Sequence, residues 1–127
     1  MKHVAHALVV IAVLAPFSVL GLPEVQDIAV LRHAAEHGDP KAQMKMGGLY
    51  HEGQGVPQSD AEAAKWYLMA AKRGDPGAQT LLALMLALGE GVQQDDKLAD
   101  YWFRKAASQS DTATRLQLET LRMSVKK

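Results

Sequence analysis

Apolar and small side chains recur along this chain at the spacing of α-helices rather than at that of β-strands. One stretch contains Ala63, Trp66, Tyr67, Ala70 and Ala71. The last four of these side chains lie three, four, seven and eight residues after Ala63. The stretch before it has nearly the same spacing, at Ala42, Met46, Leu49 and Tyr50. Each set lies on one face of a helix, which that helix buries against a neighbour. The pattern therefore predicts pairs of amphipathic helices, here named helix A and helix B in chain order.

Residues typical of helix ends bracket both predicted helices. Asp39 precedes Pro40, and an aspartate side chain accepts hydrogen bonds from the free N–H groups of a first helical turn, while proline suits the first helical position. Gly53 is a typical left-handed C-cap, and Ser59 is a typical N-cap for the next helix. We therefore expect helix A from residue 40 to Gly53 and helix B from Ser59 to Gly74.

This two-helix pattern occurs twice, and the second copy lies 36 residues after the first. The residues of the first copy that recur are Asp39, Pro40, Ala42, Gln43, Gly53, Gly55, Val56, Trp66, Ala70 and Ala71. Their counterparts are Asp75, Pro76, Ala78, Gln79, Gly89, Gly91, Val92, Trp102, Ala106 and Ala107. A fixed period of about 20–50 residues is typical of stacked supersecondary units, which mostly bind other molecules.

The same register continues outward on both sides of the two copies. The alanine pair of helix B recurs before the first copy, and the capping aspartate of helix A recurs after the second. This predicts a lone helix B over 24–37 and a lone helix A over 111–124. We therefore predict an all-α fold, an α-solenoid of antiparallel helix pairs. Its two full repeats, 39–74 and 75–110, are flanked by these capping helices as half-repeats.

Residues 1–21 have the layout of a signal peptide. Lys2 gives a positive start, an apolar run follows over 7–15, and small residues suited to a cleavage site end the segment. The alternative is an uncleaved membrane anchor, since the apolar stretch is nearly long enough to span a bilayer, but Pro16 within it argues against that. We predict cleavage, export to the periplasm or the exterior of a bacterial cell, and a mature domain over 22–127.

The composition of the chain excludes several classes of protein. The 14 lysines and arginines balance the 14 aspartates and glutamates, so no basic surface points to nucleic acid or to an anionic membrane. There is no cysteine, which removes disulfides, thiol catalysis and cysteine-based metal sites. We therefore expect no nucleic-acid partner, no cofactor and no stable membrane insertion after signal cleavage.

These residues resemble the Sel-1-like repeat, a relative of the tetratricopeptide repeat. The residues of the first copy that match this family's pattern are Ala42, Met46, Gly47, Tyr50, Gly53, Gly55, Val56, Trp66, Ala70, Ala71 and Gly74. The Gly-x-Gly-Val loop separates the family from tetratricopeptide repeats proper, which lack this loop and have a period of about 34 residues. The second copy departs from the pattern at Ala83, Leu86 and Ser110.

The resemblance implies a curved right-handed solenoid whose A helices line the concave side. It also implies protein–protein binding, in a role such as adaptor, scaffold or immunity protein to a secreted effector. We therefore expect another protein as the partner. The residues leave its identity open, and they leave self-association open as well.

On the expected concave face, the second repeat carries an apolar stripe that the first repeat lacks. Leu81, Leu84 and Leu88 follow one another at i, i+3 and i+7, and exposed apolar patches tend to be interaction sites. Lys45 and Gln117 stand at the rim of this stripe in the repeat register. We predict that these five residues bind the partner. The alternative is that the leucines pack against flanking helices as extra core, where leucine is usually found.

Two short motifs of catalytic proteins occur in the chain. His33, Glu36 and His37 match an inverted zinc-protease motif, and histidines four apart on a helix can share a metal, but a third ligand is not identifiable. Ser124 and Lys127 match the Ser-x-x-Lys motif at the chain's end. We predict no catalytic residue, no metal site and no enzyme. The alternative is a β-lactam-binding or metal-dependent hydrolase related to the family's cysteine-rich branch, whose cysteines this chain lacks.

Overall fold

A computed structural model describes residues 25–126, which form six α-helices. Their bounds are α1 Val25–Glu36, α2 Pro40–Glu52, α3 Asp60–Lys72, α4 Pro76–Leu88, α5 Asp96–Ser108 and α6 Thr112–Val125. Helices α2, α4 and α6 correspond to helix A, and α1, α3 and α5 to helix B. The described part of the chain contains no strand, so the all-α prediction is confirmed. The predicted signal peptide over 1–21 lies outside the described residues.

Each helix packs on the next along the chain, and α4 also contacts α6. Helix α1 is one residue shorter at each end than the expected 24–37, and α6 is shifted by one residue from the expected 111–124. The B helices end at Lys72 and Ser108, two residues before the expected Gly74 and Ser110. No helix within residues 25–126 combines the length and the apolar character needed to span a membrane.

The helix ends use the residues that the sequence indicates. The Asp39 carboxylate accepts from the Lys41 backbone N–H at 3.0 Å, and Asp75 accepts from that of Ala78 at 2.9 Å. The A helices α2 and α4 stop at glycines with φ of 70° and 71°, a left-handed conformation that costs glycine little because it has no Cβ. The predicted caps of both repeats are therefore confirmed.

The main core lies between α3, α4 and α5. It contains buried side chains of all three helices, including Tyr67, Leu82, Leu86 and Phe103. A smaller cluster around Met46 joins α1 to the first repeat, and another joins α6 through Leu118, Ala106 and Ala107. The stack is therefore most strongly packed at its centre, and each terminal helix attaches through a smaller apolar contact.

Gly47 marks a close crossing of α2 and α3. A Cβ at this position would lie 2.4 Å from Cε1 of Tyr67, closer than real side-chain contacts. The neighbouring Gly48 is different, because a Cβ there would meet nothing within 4 Å. The absence of a side chain at position 47 thus lets α3 cross α2 closely.

Two buried glutamines join successive helix pairs, a feature that the sequence analysis did not anticipate. Gln43 Nε2 donates to the Ala35 carbonyl at 2.9 Å, and Gln79 Nε2 donates to the Ala71 carbonyl at 3.1 Å. Each side chain thereby adds a second hydrogen bond to a carbonyl at the C-terminal end of the preceding B helix, which also accepts from the backbone N–H of Gly38 or Gly74. The signal was present, because glutamine recurs at this register in both copies.

Candidate protein-interaction surface

The three leucines of the predicted stripe have different surroundings along α4. Leu81 and Leu84 are partly buried and pack against the main core. Leu88, at the last position of the helix, is 55% exposed. Leu81 and Leu84 therefore belong partly to the core, whereas Leu88 is open surface. Binding of a partner by this stripe stays a prediction.

Lys45 and Gln117 are exposed on α2 and α6. Lys45 lines a concavity of about 320 Å³ between α1 and α2, together with Asp27, Leu31 and Glu52. None of the three stripe leucines lines this concavity. The structure thus places Lys45 beside a pocket with acidic residues, whereas Gln117 lies on the helix that packs against α4.

An ion-pair network fastens α6, the helix that carries Gln117, to α5. Asp100 Oδ1 lies 2.6 Å from Arg122 Nη1 and 3.3 Å from Lys126 Nζ, and Arg122 Nη2 lies 2.7 Å from a Glu119 carboxylate oxygen. Arg104 contacts the other Asp100 oxygen at 3.0 Å. The Arg122 hydrogen bond is the main reason why the pKa of Asp100 lies below its ordinary value. The network fixes the position of α6 on the stack.

The histidines of the inverted zinc-protease motif lie on the surface of α1. His33 and His37 are exposed, with ring centroids 4.1 Å apart, and His37 Nδ1 lies 2.7 Å from the His33 carbonyl oxygen. This nitrogen therefore donates to its own helix. Residues 25–126 contain no group of three or more histidines, cysteines, aspartates or glutamates that are arranged to hold a metal ion.

The fold raises the pKa of the Tyr67 phenol. Burial raises this pKa, and the nearby carboxylates of Glu52 and Asp60 raise it further. A raised pKa makes the phenolate less accessible near neutral pH, which is opposite to the activation that a nucleophile needs. The ring instead fills the crossing beside Gly47, so its part in the molecule is packing.

Comparison with known proteins finds one family of repeat proteins. The family model described as the Sel1 repeat matches residues 40–75 and 76–111. A Sel1 repeat protein from Oxalobacter formigenes is 43% identical with a TM-score of 0.64, over 66% of this chain and 64% of that one. No curated protein sequence matches the chain significantly.

Two further solved structures resemble the chain. A protective antigen present in uropathogenic Escherichia coli strains, which displays the SLR fold, is 42% identical with a TM-score of 0.65 over 68% of this chain and 18% of that one. Cysteine rich protein B of Helicobacter pylori, at 24% identity and a TM-score of 0.65, is alike in fold over 69% of this chain and 66% of that one. The chain thus covers less than two thirds of each of the three solved proteins. The predicted α-solenoid is confirmed.

Proposed function

The chain belongs to the Sel1 repeat family, and from this membership we propose that it is an exported protein–protein interaction module that binds its partner through the concave face of its A helices. Proteins of this family generally act as interaction modules and are typically not enzymes. The proposed role is that of an adaptor, a scaffold or an immunity protein to a secreted effector. The proposed binding residues are Lys45, Leu81, Leu84, Leu88 and Gln117.

The exposure of Leu88 is the observation that carries this proposal. Its counterpart 36 residues earlier is Glu52, which suits a solvated helix end, whereas the second repeat exposes more than half of a leucine there. Leu84 and Leu81 continue the apolar line from Leu88 toward the core. A continuous apolar line that reaches the surface favours contact with a partner.

We also propose that the protein is not an enzyme. Several side chains of types found in catalytic sites form hydrogen bonds with the backbone here. Asp75 and Ser59 cap helices, and His37 donates within its own helix. Hydrolysis of the β-lactam nitrocefin by the purified chain, abolished by a point change that keeps the fold, would contradict this part of the proposal.

Export rests on the signal-peptide pattern over 1–21. The three solved proteins named above come from bacteria, which agrees with a bacterial source. Fractionation of cells that produce the full chain with a C-terminal tag tests this directly. We expect a shortened protein in the periplasm or the medium. Full-length protein retained in the cytoplasm or the membrane would contradict it.

Leu88→Lys tests the proposed binding face. Lysine suits the C-terminal end of a helix, so the fold is expected to persist, as circular dichroism would verify. Val30→Lys on α1, where the valine is also exposed, is the matched control. We expect a partner captured from a periplasmic extract by the parent and by the Val30→Lys variant to be lost with Leu88→Lys. Equal capture by all three proteins would contradict binding at Leu88.

A further inference from the structure

A second apolar surface lies outside the proposed binding face, where the B helices α3 and α5 meet α4. It is a groove of about 340 Å³ lined by residues of α3, α4, α5 and the Gly91-Val92 loop. The residues that shape it are Ala64, Leu68, Leu82, Leu86, Leu98 and Trp102. Four of these are buried and fixed by the core, whereas Leu98 is 41% exposed at the rim. We call this feature the apolar groove; its volume lies within the range of ligand pockets.

At the junction of α1 with the first repeat, polar side chains line the corresponding position. Arg32 stands 36 residues before Leu68, and Tyr50 stands 36 before Leu86. Arg32 Nη2 donates to the Tyr50 hydroxyl at 2.9 Å, and its guanidinium lies 5.8 Å from the centre of the tyrosine ring. The concavity beside this pair is lined partly by charged and polar residues, including Glu36. The apolar groove therefore belongs to the junction of the two repeats, and the junction of α1 with the first repeat has a polar lining instead.

A lysine beside the groove supplies a positive charge. Lys105 Nζ lies 5.6 Å from the ring centre of Trp102, which lines the groove. Within residues 25–126 no carboxylate pairs with this ammonium; its hydrogen-bond partner is the Tyr101 hydroxyl at 3.3 Å. Lys65, which lines the groove on α3, is paired within its own helix with Glu62 at 2.9 Å. The groove thus combines apolar walls with one ammonium that has no acidic partner.

We infer that the apolar groove binds a segment of a partner protein that presents an apolar side chain beside a carboxylate. The apolar side chain enters between Leu68 and Leu98 and is buried on Leu86, and the carboxylate pairs with Lys105 across the Trp102 ring. Burial of apolar area supplies most of the affinity, and the partly exposed charge pair adds selectivity for an acidic segment. This surface is separate from the A-helix face, so either one can fail without the other.

Two synthetic probes test this inference on the full chain. Both are blocked helical peptides with leucines four residues apart; one carries glutamates beside the leucines and the other carries lysines at the same positions. We expect the glutamate peptide to shift the NMR signals of Leu68, Leu98 and the Trp102 indole N–H. The lysine peptide should bind about two- to fivefold more weakly, as expected for one partly exposed charge pair. Equal binding of the two peptides, or shifts confined to Leu81, Leu84 and Leu88, would overturn the inference.

Register swaps provide variants that the fold already tolerates elsewhere. Leu68→Arg combined with Leu86→Tyr installs the polar pair that joins α1 to α2, and we expect loss of glutamate-peptide binding with an unchanged circular dichroism spectrum. Lys105→Met takes the residue found 36 positions earlier, Met69, and should leave leucine-driven binding but remove the preference for glutamate.

Binding by the double variant at the parent's affinity would overturn the inference. If the double variant does not fold, Lys105→Met decides it alone, because an unchanged preference for glutamate would exclude the proposed charge pair. Sedimentation of the parent provides a further test. A dimer whose groove signals depend on protein concentration would show that a second copy occupies the groove, which also overturns the inference.

Discussion

The two helix pairs, α2 with α3 and α4 with α5, share the residues that recur every 36 positions and differ at the other positions. Trp66 and Trp102 occupy the same place in each pair and are 7% and 6% exposed. At the other positions, Lys45 is replaced by Leu81 on the A helices. Where successive pairs meet, the arginine–tyrosine pair that joins α1 to α2 is replaced by two leucines between α3 and α4. Residues that recur thus hold the stack together, whereas residues that change give each repeat its own surface.

Truncation of either tryptophan should have the largest effect and should be similar in the two pairs. We expect Trp66→Ala and Trp102→Ala each to lower the free energy of unfolding by about 3–5 kcal/mol, because a large buried ring is lost and a cavity remains. Urea denaturation of the two variants measures this. If either variant lowers the free energy of unfolding by less than about 1 kcal/mol, its tryptophan ring does not have the same packing role as the other one.

The neighbouring glycines of α2 should respond in opposite directions. Gly47→Ala places a methyl group against the Tyr67 ring, and overpacking of this kind costs about 1–3 kcal/mol. Gly48→Ala meets open space and should stabilise the helix by about 0.5–1 kcal/mol, since alanine is the better helix former. Unfolding midpoints in urea compare the two. Destabilisation by both changes would mean that α2 is crowded on more than one side.

Local patterns predicted the helices and their caps, because these depend on residues close together in the chain. Asp39 and Gly53 act within a few residues of their own positions, and their roles follow from the sequence alone. The pair of Arg32 with Tyr50 joins side chains 18 residues apart, and that of Asp100 with Arg122 joins side chains 22 apart. Such contacts depend on how helices are placed, which no local pattern encodes.

The exposure of the α4 leucines likewise could not be predicted from the sequence. Leu81, Leu84 and Leu88 look alike in the repeat register, and their spacing fits both a core face and a binding stripe. The difference arises because the main core extends beneath Leu81 and Leu84, while Leu88 lies at the end of its helix. The sequence therefore predicted a set of candidate residues. Which of them are buried and which are exposed depends on how the neighbouring helices pack.

The two buried glutamines offer a comparison of intermediate size. Gln79 Oε1 accepts from Gln109 Nε2 at 2.9 Å, whereas Gln43 Oε1 has no hydrogen-bond partner within residues 25–126. Gln79→Met removes two hydrogen bonds and should cost about 1–2 kcal/mol. Gln43→Met also removes an unsatisfied oxygen, so its cost should be smaller. Equal losses in thermal or urea unfolding would contradict this difference between the two joints.

The smallest expected effect concerns the attachment of α6, which is partly ionic, in contrast to that of α1. The Asp100 and Arg122 side chains are 19% and 17% exposed, and the pKa of Asp100 is lowered chiefly by the Arg122 hydrogen bond. A lowered folded-state pKa adds stability at pH values above the ordinary aspartate pKa of about 4. That stability is lost as the pH falls through the folded-state pKa. Acid should therefore loosen α6 before it loosens α1.

Hydrogen exchange of the α6 backbone amides measures this at neutral pH and near pH 3. Asp100→Asn should lower the protection factors of the α6 amides, relative to an unfolded chain at the same pH, at neutral pH and reduce their further fall in acid, with those of α1 unchanged. Asp111, whose pKa is also lowered by its bond to Thr114, remains in this variant and accounts for the acid response that is left. Added salt should have the same direction of effect on α6, because screening weakens partly exposed ion pairs. Protection in α6 that changes with neither acid nor Asp100→Asn would mean that the apolar contacts of Leu118, Leu121 and Val125 anchor this helix to the stack.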